Sequence, residues 1–273
     1  MAELLDRLQE SVSFIRSSYP HQPSAGIVLG SGLGNLVNEI DKVAEIDYAA
    51  IPHFPHVTVE GHHGKLIFGN ISGKKVVAMS GRFHYYEGYT AQEVAYPIRV
   101  LKMLGIETLL ISNAAGGVNP GFKVGDLMII NDHISFATVN PLVGGNVKEL
   151  GLRFPDMSEP YKKTIIHKAK SIAQNLGIEL KEGVYFGVTG PTFETRAEYK
   201  LIHVLGGDAV GMSTVQEVIA AVHMGLPVFA VSVITDIGIR EEENIITHTD
   251  VLEAARSAEP KLTAIFKELI AQL

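Results

Sequence analysis

Two periods of apolar residues run through this chain. Short, nearly continuous apolar stretches at 25–29, 75–80, 107–113, 126–131, 183–188, 208–212 and 227–234 have the length of buried β-strands. Between them, residues 91–104, 159–176, 194–205, 214–224 and a last stretch from about Asp250 repeat their apolar positions at helical spacing. A further amphipathic helix is expected over residues 1–19, carrying Glu3, Asp6, Arg7 and Glu10, with Pro20 ending it. Such alternation implies an α/β fold whose sheet is covered by helices on both faces. Residues 66–80, with Ser72-Gly73-Lys74 at their middle, read as a hairpin, so the sheet is expected to be mixed. No repeat, low-complexity tract or linker interrupts the chain, and residues 1–273 read as one domain. The loop over 140–159 is long and rich in Gly and Pro, which suits a functional or intersubunit role.

Composition narrows the setting. With 46% apolar and 19% charged residues, the chain can bury a large core. A formal charge of -7 and the absence of basic runs argue against nucleic-acid or anionic-membrane surfaces, while a small anion held by local cations stays compatible. There is no cysteine, so disulfides, thiolate zinc sites and cysteine nucleophiles are excluded. The N-terminus lacks the uninterrupted apolar segment of a signal peptide and no later run reaches membrane-spanning length, so a soluble cytoplasmic protein is expected.

Three segments carry candidate chemistry. Gly81-Arg82-Phe83-His84-Tyr85-Tyr86-Glu87-Gly88 concentrates a guanidinium, an imidazole and three aromatic rings between glycines. Arg82 offers a planar fork suited to phosphate, His84 donates or accepts near neutral pH, and Tyr86 presents a hydroxyl from an apolar ring. The plainer alternative is a hairpin in which Arg82 pairs with Glu87 or another carboxylate. Gly30-Ser31-Gly32-Leu33-Gly34 follows an apolar strand and opens an expected helix through Ile40, where bare N–H groups and a hydroxyl meet an anion. Its glycine spacing fits a dinucleotide fingerprint poorly, which weakens a nicotinamide-cofactor oxidoreductase. Asn113-Ala114-Ala115-Gly116-Gly117 follows a buried strand with small residues against which a flat ligand can lie.

In order along the chain, GSGLG at Gly30, EGHHG at Glu60, GRFHYYEG at Gly81, SNAAGG at Ser112, GPTFET at Gly190 and GMSTVQE at Gly211 closely resemble the trimeric, low-molecular-weight purine nucleoside phosphorylases. The resemblance implies a three-layer α/β/α nucleoside phosphorylase fold with a mixed central β-sheet. It further implies a homotrimer, no metal or other cofactor, and reversible phosphorolysis of purine (deoxy)ribonucleosides, with inorganic phosphate as co-substrate. Carried over by motif position, phosphate contacts fall on Ser31, His62, Arg82, Phe83, His84, the backbone N–H of Ala114, and Ser213. Pentose contacts fall on Tyr86, Met212 and His248, with Phe154 reaching into a neighbouring subunit's site. The purine lies near Ala114, Ala115, Phe193 and Val210, its edge read by Glu194 and Asp236. His84, Glu194 and Asp236 are the expected catalytic residues, Asp236 serving N7 of the departing base.

Asp236 departs from the commonest family pattern, which has Asn in the corresponding Ile-Thr-Asn segment. Asn can donate to a 6-oxo group and accept from N7–H, whereas an ionised Asp only accepts and suits a 6-amino group. A protonated Asp still donates, and burial beside Glu194 favours protonation. A specificity broadened toward adenosine is therefore expected. Structural alternatives stand beside these roles. Glu194 can stabilise a helix N-terminus, Phe193 and Phe154 can be core rings, Met212 a gap filler, and His248 a residue capping or preceding the last helix. Tyr185 reads as core. His53, His56, His62 and His63 lack an obvious completing ligand, and packing around Pro52 and Pro55 accounts for them better than a metal does. Glu241, Glu242 and Glu243 read as a solvated loop or as part of a lid between Asp236 and His248. The rival functions are a methylthioadenosine phosphorylase, which Asp236 favours and His248 disfavours, and a non-catalytic nucleoside sensor, which gains little from a phosphate site.

Overall fold

The computed structural model describes residues 2–58, 63–239 and 246–273. Among them the chain order is α1 (Ala2–Ser18), β1 (Ala25–Val28), β2 (Asp41–Asp47), β3 (Lys65–Ile71), β4 (Lys74–Ser80), α2 (Ala91–Met103), β5 (Thr108–Gly117), β6 (Leu127–Ile134), α3 (Lys163–Asn175), β7 (Leu180–Gly187), α4 (Arg196–Val204), β8 (Ala209–Gly211), α5 (Val215–His223), β9 (Val228–Ile237) and α6 (His248–Ala271). The expected strands and hairpin are present, as are the expected helices apart from the one through Ile40, and the sheet is mixed. Its order is β2-β3-β4-β1-β5-β8-β7-β6-β9, with β9 paired in addition to β5. That second pairing closes β5, β8, β7, β6 and β9 into a ring, which alternation of elements alone does not announce. Helix α2 packs on α1 and α5, and α3 packs on α6.

Local chemistry sets the helix starts. Thr90, Thr195 and Thr247 cap α2, α4 and α6, each accepting from the N–H three residues on while Glu93, Glu198 and Asp250 return the bond. Each such box satisfies two otherwise orphaned donors. The last helix therefore begins at His248, two residues before the expected position, and α3 begins at Lys163, beyond Pro160. The helix expected through Ile40 is a short 3-10 turn over Gly34–Glu39. It is tied to α6 because Glu259 accepts from both the backbone N–H and Nδ2 of Asn35. Strand β2 was not expected at all. It is a polar edge strand with one buried residue, Ile46, so it lacks the apolar alternation by which a strand is read.

What matters for function is a gap in the sheet. Strand β1 pairs with β5 only as far as Val28 opposite Ile111, and β8 pairs with β5 only from Gly116 onward. Between those limits one edge of β5 is open over residues 112–115. At Gly30 the chain leaves β1 so close to β5 that a Cβ there would lie 2.8 Å from Asn113 Cα. Glycine permits that approach.

Candidate active site

The gap opens into a cavity lined by Ser31, Arg82, His84, Tyr86, residues 113–116, Phe193, Glu194, Tyr199, residues 210–213, Thr235, Asp236, His248 and Val251. These positions come from the carboxyl ends of β1, β4, β5, β8 and β9 and from the starts of α4 and α6. Ligands of open α/β sheets bind at this end of the strands.

One end of the cavity is built from paired charges. Arg82 is 1% exposed. Its Nε and Nη2 donate to the two carboxylate oxygens of Glu217 at 3.0 Å each, and Nη1 donates to Ser112 O at 2.7 Å. The plainer sequence alternative, Arg82 paired with a carboxylate, is thus present, but the partner is Glu217 rather than Glu87, and Arg82 still lines the cavity. Glu87 instead holds His84: its Oε1 accepts from the His84 N–H at 2.8 Å and lies 2.9 Å from Nδ1. With the Nδ1 proton directed at Glu87, Nε2 is the unprotonated nitrogen of the ring. Burial lowers the His84 pKa, with the Arg82 charge acting the same way and the bond to Glu87 opposing both. For Glu87, burial works upward, but bonds from His84 and Thr58 prevail and leave its carboxyl below its ordinary range.

Ser213 precedes Thr214, which caps α5 at φ 72°. A β-branched residue in that region is held there by its surroundings. Here the hydroxyl of Thr214 lies 2.8 Å from Asn113 Nδ2 and 3.1 Å from Ser213 Oγ, while the Ser213 N–H donates to Tyr185 Oη at 3.3 Å. Phe83, expected among the phosphate contacts, has its ring in the core: it is 1% exposed and packs on Tyr48 and Tyr89. Alternation along the segment turns its ring away from the side that carries Arg82 and His84. His62 lies outside the described residues, as do Glu60 and Glu241, Glu242 and Glu243.

The other end carries acidic groups. A β-bulge in β9 skips Thr235, so that Ala115 faces Ile234 and Gly116 faces Asp236, and both Thr235 and Asp236 line the cavity. Asp236 Oδ1 accepts from Thr235 Oγ1 at 3.0 Å and Oδ2 from Tyr199 Oη at 3.4 Å. Glu194, whose pKa is raised by burial and further by the Asp236 charge, lines the same end of the cavity. The cap of α4 is Thr195, so Glu194 is not the capping residue. Phe193 is 42% exposed at the cavity wall, and neither it nor Phe154, at 84%, is a core ring. His248 is the first residue of α6 and lines the cavity, while Thr247 does the capping.

A sequence model of the Phosphorylase superfamily matches residues 24–271. Purine nucleoside phosphorylase 1 of Geobacillus stearothermophilus is 47% identical over 263 residues, covering 96% of each chain. Among solved structures, isoform 2 of purine nucleoside phosphorylase from Schistosoma mansoni, in complex with cytosine and ribose-1-phosphate, superposes with a TM-score of 0.94 at 44% identity, covering 98% of this chain and 96% of its own. Schistosoma mansoni purine nucleoside phosphorylase, solved with adenosine and with inosine, gives 0.93 at 40% identity in both, covering 98% of this chain and at least 96% of its own. The chain belongs to the purine nucleoside phosphorylase family.

Sequence reasoning missed several residues of this cavity and its supports. Glu217, Asn113, Tyr199, Thr235 and Val251 had no role assigned. A signal existed for Glu217, a carboxylate inside the apolar helix Val215–His223 and 2% exposed. Tyr199 gave none, since it shares a buried stripe of α4 with Ile202. Phe154 lies away from the cavity its own chain forms, beside Asp132, His133, Arg153 and Met157. His53 pairs with Glu10, and the His56 N–H donates to Tyr89 Oη. Among the described residues no group of three His, Cys, Asp or Glu side chains could hold a metal ion. No helix among them is long and apolar enough to cross a membrane.

Proposed function

We propose that this phosphorylase cleaves purine ribonucleosides and deoxyribonucleosides with inorganic phosphate, reversibly, giving free base and pentose 1-phosphate, without metal or organic cofactor. The observation that carries the reading is one cavity whose lining joins Ser31, Arg82, His84 and Ser213 with Glu194 and Asp236. The first group supplies donors for a dianion, the second reads and protonates a heterocycle.

As the C1′–N9 bond breaks, its electron pair passes to the purine and positive charge develops on the sugar ring. A phosphate oxygen forms the new bond to C1′, and the dianion offsets that charge. The open edge of β5 around Ala114 and the fixed side chains of Arg82 and His84 hold phosphate in line, so the protein contributes alignment rather than a nucleophile of its own. A protonated Asp236 donates to N7 of the leaving base, and Glu194 binds the N1 edge. Tyr86, Met212 and His248 face the pentose, and Ala115, Phe193 and Val210 the flat base. His248, a hydrogen-bonding group at the pentose, favours a 5′-hydroxyl over the thioether of methylthioadenosine.

The working form is a homotrimer in the cytoplasm, with Phe154 entering a neighbour's site. The apolar side chains of Phe136, Val143, Leu152 and Phe154, each more than 60% exposed, support burial of this face in an assembly. Asp236 extends the substrates from inosine and guanosine to adenosine.

A panel of inosine, guanosine, adenosine, methylthioadenosine and a pyrimidine nucleoside, incubated with and without phosphate, tests the reading. We expect base release from the purine nucleosides only with phosphate. Equal release in phosphate-free Tris would refute it.

A further inference from the structure

Ser31 and His248 reach the cavity from different elements, the glycine loop after β1 and the first turn of α6. In the proposed reaction one faces phosphate and the other the pentose, and a misplacement of about 1 Å between reacting groups can cost on the order of a hundredfold in rate. The two elements are in direct contact. Gly32 adopts φ 73°, and a Cβ there would stand 2.8 Å from the Ala255 Cβ and 3.1 Å from the Leu252 carbonyl oxygen. Glycine thus lets loop backbone lie on helix backbone. One turn further along α6, Glu259 accepts from the Asn35 N–H at 2.5 Å and from Asn35 Nδ2 at 2.6 Å.

His248, Val251, Leu252, Ala255 and Glu259 share one face of the helix at helical spacing. That face lines the cavity at its start and grips the glycine loop farther along. Glu259 is 2% exposed, and a buried carboxylate is costly unless its oxygens are bonded. Here both oxygens are bonded, and both by Asn35. The 3-10 turn over Gly34–Glu39 receives no side-chain cap from Leu33, so the Asn35 N–H finds its acceptor on α6 instead. The turn meets α6 again where Lys267 bonds Glu39 at 2.5 Å, but those side chains are 40% exposed and lie beyond the loop. An exposed pair of this kind contributes little.

We propose that Glu259 is a positioning residue for phosphorolysis: from α6 it clamps the glycine loop and so holds Ser31 at a fixed place relative to His248. This rests on the reading that Ser31 contacts phosphate and His248 the pentose. Glu259 itself lies outside the cavity lining and acts only through Asn35. The helix is held independently by its buried residues Leu262, Ile265, Phe266 and Leu269. Loss of the clamp therefore shifts Ser31 rather than His248, and it weakens the hold on phosphate more than the hold on nucleoside.

The test measures KM for phosphate at saturating inosine and KM for inosine at saturating phosphate. Wild type is first assayed for phosphate-dependent base release; failure there refutes the proposed function, and the clamp is then judged by hydrogen exchange alone. Given that activity, Glu259→Ala should raise KM for phosphate roughly tenfold and KM for inosine less than about twofold. Glu259→Gln should recover most of that loss, because its amide oxygen still accepts from the Asn35 N–H. Asn35→Ala, at an exposed position, removes only the side-chain bond and should raise KM for phosphate about threefold. It decides the matter if Glu259→Ala does not fold, an unchanged KM for phosphate then counting against the clamp. Lys267→Ala, which unties the far end of the turn, should leave both KM values unchanged. In hydrogen exchange read by mass spectrometry, residues 30–35 of Glu259→Ala should exchange faster than in wild type, and those of Lys267→Ala should not. A lower melting temperature with unchanged KM for phosphate, equal rises in both KM values, unchanged exchange over 30–35, or a Gln variant no better than Ala would each overturn the proposal.

Discussion

The two ends of the cavity handle charge in opposite ways. At the phosphate end, Arg82 and His84 each lean on a carboxylate behind them, Glu217 and Glu87, that is directed at its partner. At the end proposed for the purine, Glu194 and Asp236 face each other's charge, and Tyr199 bonds Asp236. Fixed pairs suit a ligand that always presents the same tetrahedral set of oxygens, inorganic phosphate. Facing carboxylates, which resist double ionisation, suit ligands that differ in where they donate and accept. The scaffold beneath both ends is the same strand β5, so the contrast arises from the side chains set around it.

The largest expected effect comes from unpairing the phosphate end. The Arg82 and Glu217 side chains are 2% and 3% exposed. Removing one partner of such a pair strands the other charge, typically at about 3–5 kcal/mol. Glu217→Ala should therefore lose about that much stability in urea denaturation. Phosphate should stabilise the variant more than it does wild type, since the dianion supplies a counter-charge. A loss below ~1 kcal/mol would show that Arg82 is sustained by something other than this pair.

That Ser31, Arg82, Ser213 and Asp236 line one cavity follows the segments singled out in the sequence, whereas their wiring was not readable there. Gly30, Arg82, Asn113, Ser213 and Asp236 follow or end apolar runs, and a strand end next to small or polar residues is a local pattern. Pairing is not local. Arg82 and Glu217 are 135 residues apart, and nothing in either segment names the other. Tyr199 was hidden for a related reason: its spacing from Ile202 is that of any buried helix stripe, and its role depends on Gly116 and Gly238, which leave space rather than make contact. The closure of β9 onto β5 was equally beyond reach, because period and length report burial but not neighbours. The ring of Phe83 is buried in the core, although its neighbours Arg82 and His84 line the cavity. A motif carries every residue within it as a candidate, although alternate side chains turn to the core.

A smaller effect should come from Glu87→Gln. The carboxylate fixes the imidazole through Nδ1 and opposes the effect of burial on His84. An amide at that position can donate its own N–H toward Nδ1, which favours the other tautomer and turns Nε2 from acceptor to donor. We expect KM for phosphate to change roughly tenfold, ~1.4 kcal/mol, while the inosine-to-adenosine ratio stays constant. Steady-state kinetics with phosphate varied at saturating nucleoside would measure it. A change in the substrate ratio would mean that the two ends are coupled and the contrast is wrong.

The finest test is the sign of each end's pH linkage. At the phosphate end His84 has a lowered pKa, chiefly through burial, so on acidification the unfolded chain binds a proton before the folded one does. Its contribution is thus retained above about pH 6.5 and lost as pH falls from there through the folded pKa. Glu194 behaves inversely. Burial raises its pKa, so its contribution is present below about pH 4.5 and lost as pH rises through the folded value. A tenfold difference in proton affinity between the folded and the unfolded chain corresponds to about 1.4 kcal/mol. Melting temperatures of wild type, His84→Gln and Glu194→Gln, measured from pH 4 to 8 without phosphate, isolate the two contributions as difference curves. Relative to His84→Gln, wild type should lose stability toward acid; relative to Glu194→Gln, it should lose stability toward alkali. Difference curves of the same sign would mean that the two ends titrate as one site, and that paired and facing charges are not separate designs in this pocket.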